Sequence, residues 1–579
     1  MKITILVICL ALLAAFRLHL NPPQSQNPHN PQSQQQQQKQ RIAIKCTPDL
    51  DALAEENQVP LLPGWGTYRM SISHKKDSAW LYFQQGINLY YGFHIIEALA
   101  SFKKSTVLDS SFSMGYWGQA LAYGPNINDN GYSASPKALA AAQKAQLLST
   151  NDAPEEKALI AAMQTRYTDD STTSRQKLDQ AYVDAMFTAH QAFSKDPDIA
   201  SLYVDAMMQQ HPWDLYDLKG KPRSWTPSIV KTLEEVLKST PAHPGAEHYY
   251  IHAVEASDHP EKALAVSSRL PNQMPGVSHI VHMPAHIYIR TGNYAEGWRL
   301  NDSAVRSYKD YLSRYPGVQQ NTPLYLIHNL HMQATCAAME ARYSDGIRIA
   351  NDTRMSFDTS YMSAPGFDGV FMQYVYMTPL LTRVRMGDWE GVLDETPLDK
   401  TYVYADVLTR YARGIAYART KRIAEAQNEL NALCNDTAAA ALHAPAPNYA
   451  NPGINGTRVA EGILAGVIAE AQGDLKKSIS ILQATVQIED NMIYNEPKDW
   501  QQPARQFLGN VLLKAGQYQE AERVFREDLY ANAKNGWSYT GLATALSRQG
   551  RARESATAQA LAKKAFANSD RKITTAVVQ

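Results

Sequence analysis

Leu508, Gly509, Leu512, Gly516, Tyr518 and Ala521, followed in the same copy by Phe525, recur 34 residues further on, in unbroken register, as Leu542, Ala543, Leu546, Gly550, Ala552 and Ser555. That period, with small residues where two helices cross and aromatic residues between successive pairs, is the pattern of a helical-hairpin repeat. Other copies are Gly86, Ala98 and Phe102; Ala285, Tyr288, Gly292, Tyr294 and Gly297; Gly414, Tyr417, Ala426 and Leu430; and Gly466, Gly473, Leu475 and Ser478. Weaker copies run through Ile251 to Ala263, Ala334 to Gly346 and Leu380 to Val392, and the stretch Ser135 to Asp198 fits least well. Each hairpin leaves an apolar face that only a neighbour can cover, so the span from about Ser78 to Ala567 is expected to stack as one array around a concave groove.

The spacing is that of the tetratricopeptide repeat (TPR), and the fold class expected is all-α: TPR-like hairpins stacked into a right-handed superhelix, an α-solenoid. Residues 61–240 are read as N-terminal repeats, 241–345 as a histidine-rich set and 346–570 as C-terminal repeats. Ahead of them, residues 1–20 carry Lys2 and an apolar run from Ile3 to Phe16, too short for a comfortable membrane span, and read as a signal peptide or an N-terminal anchor. Residues 21–60, rich in Gln, Pro and Asn, read as a disordered linker. The chain is expected to be exported: periplasmic, membrane-anchored or secreted, touching a membrane only through that anchor. Basic and acidic residues balance at 56 each, and no basic stripe is present, which argues against a nucleic-acid partner. Behind the leader, Cys46, Cys336 and Cys434 form an odd set, so disulfides do not organise the fold.

The repeat register also assigns faces. On the first helix of each hairpin the second, fifth, ninth and twelfth places share the groove side. In three successive copies those places hold His248, His252 and Glu255; His279, His282 and His286; and His328 and His331. The chain has 16 histidines and eight lie between Gly245 and Thr335; only His259 of that group misses the groove stripe. Residues three or four apart on a helix can share an ion, and imidazole is a common ligand for zinc, copper, iron and nickel. The expectation is a site holding copper, zinc or iron on the seven groove histidines, with Glu255 as the catalytic carboxylate. Its short zinc-protease relative, HExxH, is not present. Weaker groove candidates are Asp205, Asn126 in GPNIN, Tyr374 and Met377 on the next hairpin, and Trp500 and Arg505; Trp213 and Asp214 in HPWD read as loop packing.

The segments AEHYYIHAVEAS, HIVHMPAHIYIRTGNYAEG, IHNLHM, FREDL and NGWSYTGLATAL resemble a bacterial family of exported TPR proteins with a histidine-rich central region. The likeness runs over almost the whole chain from about Leu61. It implies fold and export, and no reaction. The same family carries an EPxxW segment before the penultimate repeat, here Glu496, Pro497 and Trp500. Two functions fit the residues: a metal-dependent enzyme, oxidoreductase or hydrolase, acting on a groove-bound peptide, protein or small molecule; and a non-catalytic scaffold whose groove receives a partner protein or peptide.

Overall fold

A computed structural model describes residues 59–128, 135–314, 323–447 and 450–579. The leader, and the linker up to residue 58, lie outside the described residues. Among those described, the regular structure is helical apart from an isolated bridge between Tyr216 and Pro222. No described helix is long and apolar enough to cross a membrane.

The helices come in antiparallel pairs from Asp77–Tyr91 with Ile95–Leu108 to Gly536–Arg548 with Ala552–Ala565, and each packs mainly on its neighbours in the chain. The result is an all-α tandem array of TPR-like hairpins. The stretch that fits the repeat least well still obeys this order, with Pro136–Leu148, Pro154–Gln164, Arg175–Ala192 and Pro197–Gln210 stacking in sequence. The described residues of the three segments belong to one compact unit. One apolar cluster runs from Val59 to Tyr311 without a break near residue 240, and a second gathers residues from Val370 to Val577.

A single contact explains the small residues of the repeat. The buried ring of Phe525 lies between two hairpins, against Gly509 on one side and Gly541 on the other; a Cβ at either glycine would stand 2.5 or 2.2 Å from the ring. Phe102 occupies the same place between Gly86 and Gly118 near the start of the array. The turns inside the last two hairpins use Gly516 and Gly550 at φ +72° and +78°, the left-handed region that an L side chain enters only with strain.

Distant hairpins also touch. Tyr325 Oη donates to the Phe93 carbonyl at 3.3 Å, Tyr311 bonds Glu97, and Trp537 Nε1 donates to the Ala338 carbonyl at 3.1 Å. The central helices are therefore covered from both ends of the chain, and the groove-side histidines lie inside the protein instead of along an open groove.

Gly541→Ala should lower the denaturant midpoint by overpacking, at a cost of about 1–3 kcal/mol. Adding Phe525→Leu should recover part of that loss, because the smaller side chain vacates the space the new methyl needs. Strictly additive losses in a urea titration of the two single variants and the double variant would show that the ring does not set the hairpin spacing.

Candidate metal centre

Three helices bring the histidines together. Pro244–Val254 starts on Pro244 at its first turn, with His243 Nδ1 capping the Ala246 amide at 3.0 Å, and presents His248, His252 and, at its C-cap, Glu255 one turn apart. The next helix is interrupted at Pro284, which has no N–H to give to the preceding turn; Ser278–His282 and Pro284–Arg290 nevertheless continue through helical backbone at Met283 and carry His279, His282 and His286. Pro323–Met339 supplies His328 and His331.

These side chains sort into two triads. In the first, His248 Nε2 lies 3.1 Å from His252 Nε2 and 3.0 Å from His279 Nε2. In the second, His282 Nε2 lies 2.8 Å from His286 Nε2 and 3.0 Å from His328 Nε2. Within each triad the donor atoms fall within 4.8 Å of one another. The triads adjoin, with the His252 and His286 ring centroids 6.2 Å apart.

The hydrogen-bond partners assign the tautomers. His248 Nδ1 donates to the Tyr91 carbonyl at 2.6 Å, and His252 Nδ1 to Glu255 Oε1 at 3.1 Å. Asn301 gives its amide N–H to the Gly297 carbonyl, so its Oδ1 is an acceptor and His282 Nδ1, 2.7 Å away, must carry hydrogen. A neutral imidazole has one N–H. In all three rings it is spent on Nδ1, and the Nε2 lone pairs face inward. Between His248 and His252 no hydrogen is left to bridge the 3.1 Å gap.

Burial keeps four of the six triad rings uncharged. It pushes His248, His279, His282 and His328 well below the ordinary histidine range, assisted by repulsion from neighbouring histidines, and takes His331 down to about 3. His286 differs: burial pulls it down, but Glu255 and Glu496 outweigh that and hold it up at about 10. Glu255 answers in the opposite sense. Burial raises it, yet His286 and His252 overcome the burial and keep it below the usual carboxylate range.

Edge distances of 2.8–3.1 Å are what two nitrogens subtend at about 85–100° around an ion bound at about 2.0–2.1 Å, so both triads fit a small transition ion. The Nδ1 partners behind the rings supply the outer hydrogen bonds that orient metal-binding histidines.

The comparisons with known proteins bear on the fold alone. No family model and no curated protein matches the sequence. Among solved structures, the human IFIT1 dimer with m7Gppp-AAAA aligns at 11% identity over 91% of this chain and 94% of its own, with a TM-score of 0.30. The APC/C hetero-tetramer Cut9–Hcn1 aligns at 12% over 88% and 79%, TM-score 0.27, and the P58(IPK) TPR domain at 9% over 85% and 99%, TM-score 0.23. At these scores the likenesses have no bearing on the site.

The remaining sequence candidates fall in different places. His331 joins neither triad; its Nε2 accepts from Gln501 Nε2 at 2.7 Å and its ring meets Tyr374 edge-on. Glu255, expected as a catalytic base, has Oε1 on His252 and Oε2 2.9 Å from His286 Nδ1, so it serves the rings. Asp205 accepts from Tyr90 and Gln209, and Arg505 pairs with Asp490 and Glu527; neither is among the triad ligands or their partners. Asn126 accepts from the Asn128 amide, the bond of a chain turn. Met377 is core, Trp500 packs on Tyr411, and Tyr374 Oη donates to the Lys498 carbonyl.

Several residues escaped the reading of the sequence. Asn301 sits on the following helix, whose face the repeat register does not assign to the groove. Phe93, at φ +56°, lays its ring against His248, His252 and His279. Trp213, at φ +63°, stands edge-on to His252 and donates to the Ile127 carbonyl, so HPWD and GPNIN meet beside the first triad. Two bulky residues in the left-handed region at one site are the kind of strain that clusters at functional positions. Glu496, from the EPxxW segment, reaches His286 Nδ1 at 2.6 Å.

Metal-free protein should be acid-labile. His248, His279, His282, His328 and His331 are held neutral in the fold, whereas the unfolded chain protonates them near pH 6.5; stability is therefore complete above that pH and falls as pH drops below it. The slope is about 1.4 kcal/mol per pH unit for each such ring. His286 is charged in both states below pH 6.5 and adds no slope there. Urea midpoints of chelator-treated protein at pH 6.5 and 5.0 check this, with a clear fall expected.

Proposed function

We propose that the centre of the array binds two transition-metal ions, one on His248, His252 and His279 and one on His282, His286 and His328, and that the protein is an oxidoreductase. The observation that carries the reading is the set of three pinned Nδ1 hydrogens, which leave bare Nε2 atoms converging in a buried space. Both triads consist of imidazole nitrogen donors. Such donors suit copper, iron and zinc, and copper or iron would supply electron transfer when bound.

The chain's own residues do the rest. Tyr91, Asn301 and Glu255 fix ring orientation, Phe93 covers the first triad, and the segment from Tyr494 to Gln501 reaches the second through Glu496 and the neighbouring His331 through Gln501. That segment also lines a cleft of about 610 Å³, where Arg290, Tyr494, Lys498 and Trp500 meet, and which is where a substrate would approach. Hydrolysis is the weaker reading because both oxygens of Glu255 are buried against histidine rings, Oε1 accepting from His252 and Oε2 standing 2.9 Å from His286 Nδ1. Scaffolding, to which a TPR-like fold is suited, is weakened at this place because a partner segment would find the histidines already covered. Export by the leader remains part of the proposal.

Untagged protein should carry stoichiometric copper, iron or zinc by elemental mass spectrometry, and a His282→Ala, His286→Ala variant should lose the ion of the second triad. Asn301→Leu, which removes the acceptor for His282, should weaken metal binding about 10–100-fold. Dialysed copper- or iron-loaded protein should consume oxygen with ascorbate as donor, and the double variant should not. Absence of bound metal after reconstitution would falsify the metal reading; bound metal without oxygen uptake would leave metal binding and remove the oxidoreductase.

A further inference from the structure

Next to the second triad, three buried atoms face one another with no well-aligned hydrogen bond among them: Glu255 Oε2, His286 Nδ1 and Glu496 Oε2. They come from the helix C-cap after Val254, from the helix Pro284–Arg290 and from the segment joining Leu475–Asp490 to Ala504–Lys514. His286 Nδ1 lies 2.9 Å from the first carboxylate oxygen and 2.6 Å from the second, and the three side chains are 3%, 8% and 4% exposed. The other oxygens are engaged elsewhere, Glu255 Oε1 with His252 and Glu496 Oε1 as acceptor from Tyr494. One N–H cannot point at two oxygens at once, and it lies along the line to neither. A cation among the three atoms would meet a lone pair from each.

We propose that Glu255, His286 and Glu496 form a third cation position, separate from the two imidazole triads, and that it takes a harder divalent ion than they do. Two carboxylates and one imidazole are the donor chemistry of manganese(II), iron(II) or zinc, whereas the all-nitrogen triads disfavour manganese. The position uses His286 Nδ1, while the second triad uses Nε2 of the same ring. With an ion at Nδ1 only, the remaining hydrogen sits on Nε2 and donates to the bare Nε2 of His282, 2.8 Å away. With ions on both sides, the ring has released that proton to solvent and bridges them as an imidazolate. The position does not require the triads to be filled.

The ion has a mechanical consequence. Glu496 is its one ligand from the covering segment, and Tyr494, Lys498 and Trp500 of that segment line the cleft. Manganese would thus fasten the segment over the histidines.

The test uses the full chain, stripped of metal and dialysed against Mn²⁺, with manganese counted by elemental mass spectrometry and amide exchange followed across residues 491–503. The parent should take up one Mn²⁺ per chain and exchange should slow across the segment. Glu496→Gln, nearly isosteric, should lose the ion and the protection; Glu496→Asp, one methylene shorter, should bind at least tenfold more weakly. A His248→Ala, His282→Ala variant should keep the manganese while losing triad-bound copper. No manganese uptake by the parent, or equal uptake by Glu496→Gln, overturns the third position, and copper bound at the triads in the same samples would leave the proposed function standing. Manganese retained with no copper bound at the triads in any sample would do the reverse.

Discussion

An aromatic ring held between two glycines sets the spacing on which everything else in this molecule rests. Phe525 between Gly509 and Gly541, and Phe102 between Gly86 and Gly118, show the same solution at opposite ends of the array. A bulky side chain fills the gap between hairpins only if the facing helix offers none, and the two helices then approach closely enough to exclude water. Elsewhere aliphatic side chains do the same against one glycine, Leu464 on Gly414 and Leu482 on Gly466, and close packing of this kind fixes which face of a helix looks inward. In the middle hairpins that face is made of histidine.

Burying so many imidazoles is costly unless each polar atom has a partner. The protein meets the requirement on one edge of the rings only. Nδ1 atoms bond Tyr91, Glu255 and Asn301, and the Nε2 edges are turned toward one another. His248, His252 and His282 cannot resolve that arrangement among themselves, because their hydrogens are committed to Nδ1. Glu255 is central to it: one carboxylate orients a ring in the first triad and reaches a ring in the second, coupling them through a single buried charge. That dual task is why it is poorly placed to act as a base.

Much of this was legible from residue order. The 34-residue recurrence identified the hairpin array, and counting places from the small and aromatic residues put seven histidines on one face, six of which the stacked array gathers into the two triads. His331 shows the limit of the count. It occupies a groove place, yet it sits one turn beyond the triads and meets Gln501, because a helix carries its ligands past a site as well as into it. Asn301, Phe93 and Trp213 were not legible: the first lies on a helix whose inward face the register leaves unassigned, Phe93 puts a large ring at the left-handed turn position that later hairpins give to Gly516 and Gly550, and Trp213 reaches the site through loop backbone at positive φ that no periodicity encodes.

Sequence alone determined the helical class, the hairpin period and the helical faces, because these follow from spacings of three, four and 34 residues along one chain. Tertiary structure decided how the histidines divide into two sets, which nitrogen of each ring faces inward, and that Glu496, 210 residues after His286, closes beside it. Those features depend on side chains from helices far apart in sequence meeting at hydrogen-bond distance. A register can say that a residue faces the groove; only the stacked array says what stands opposite.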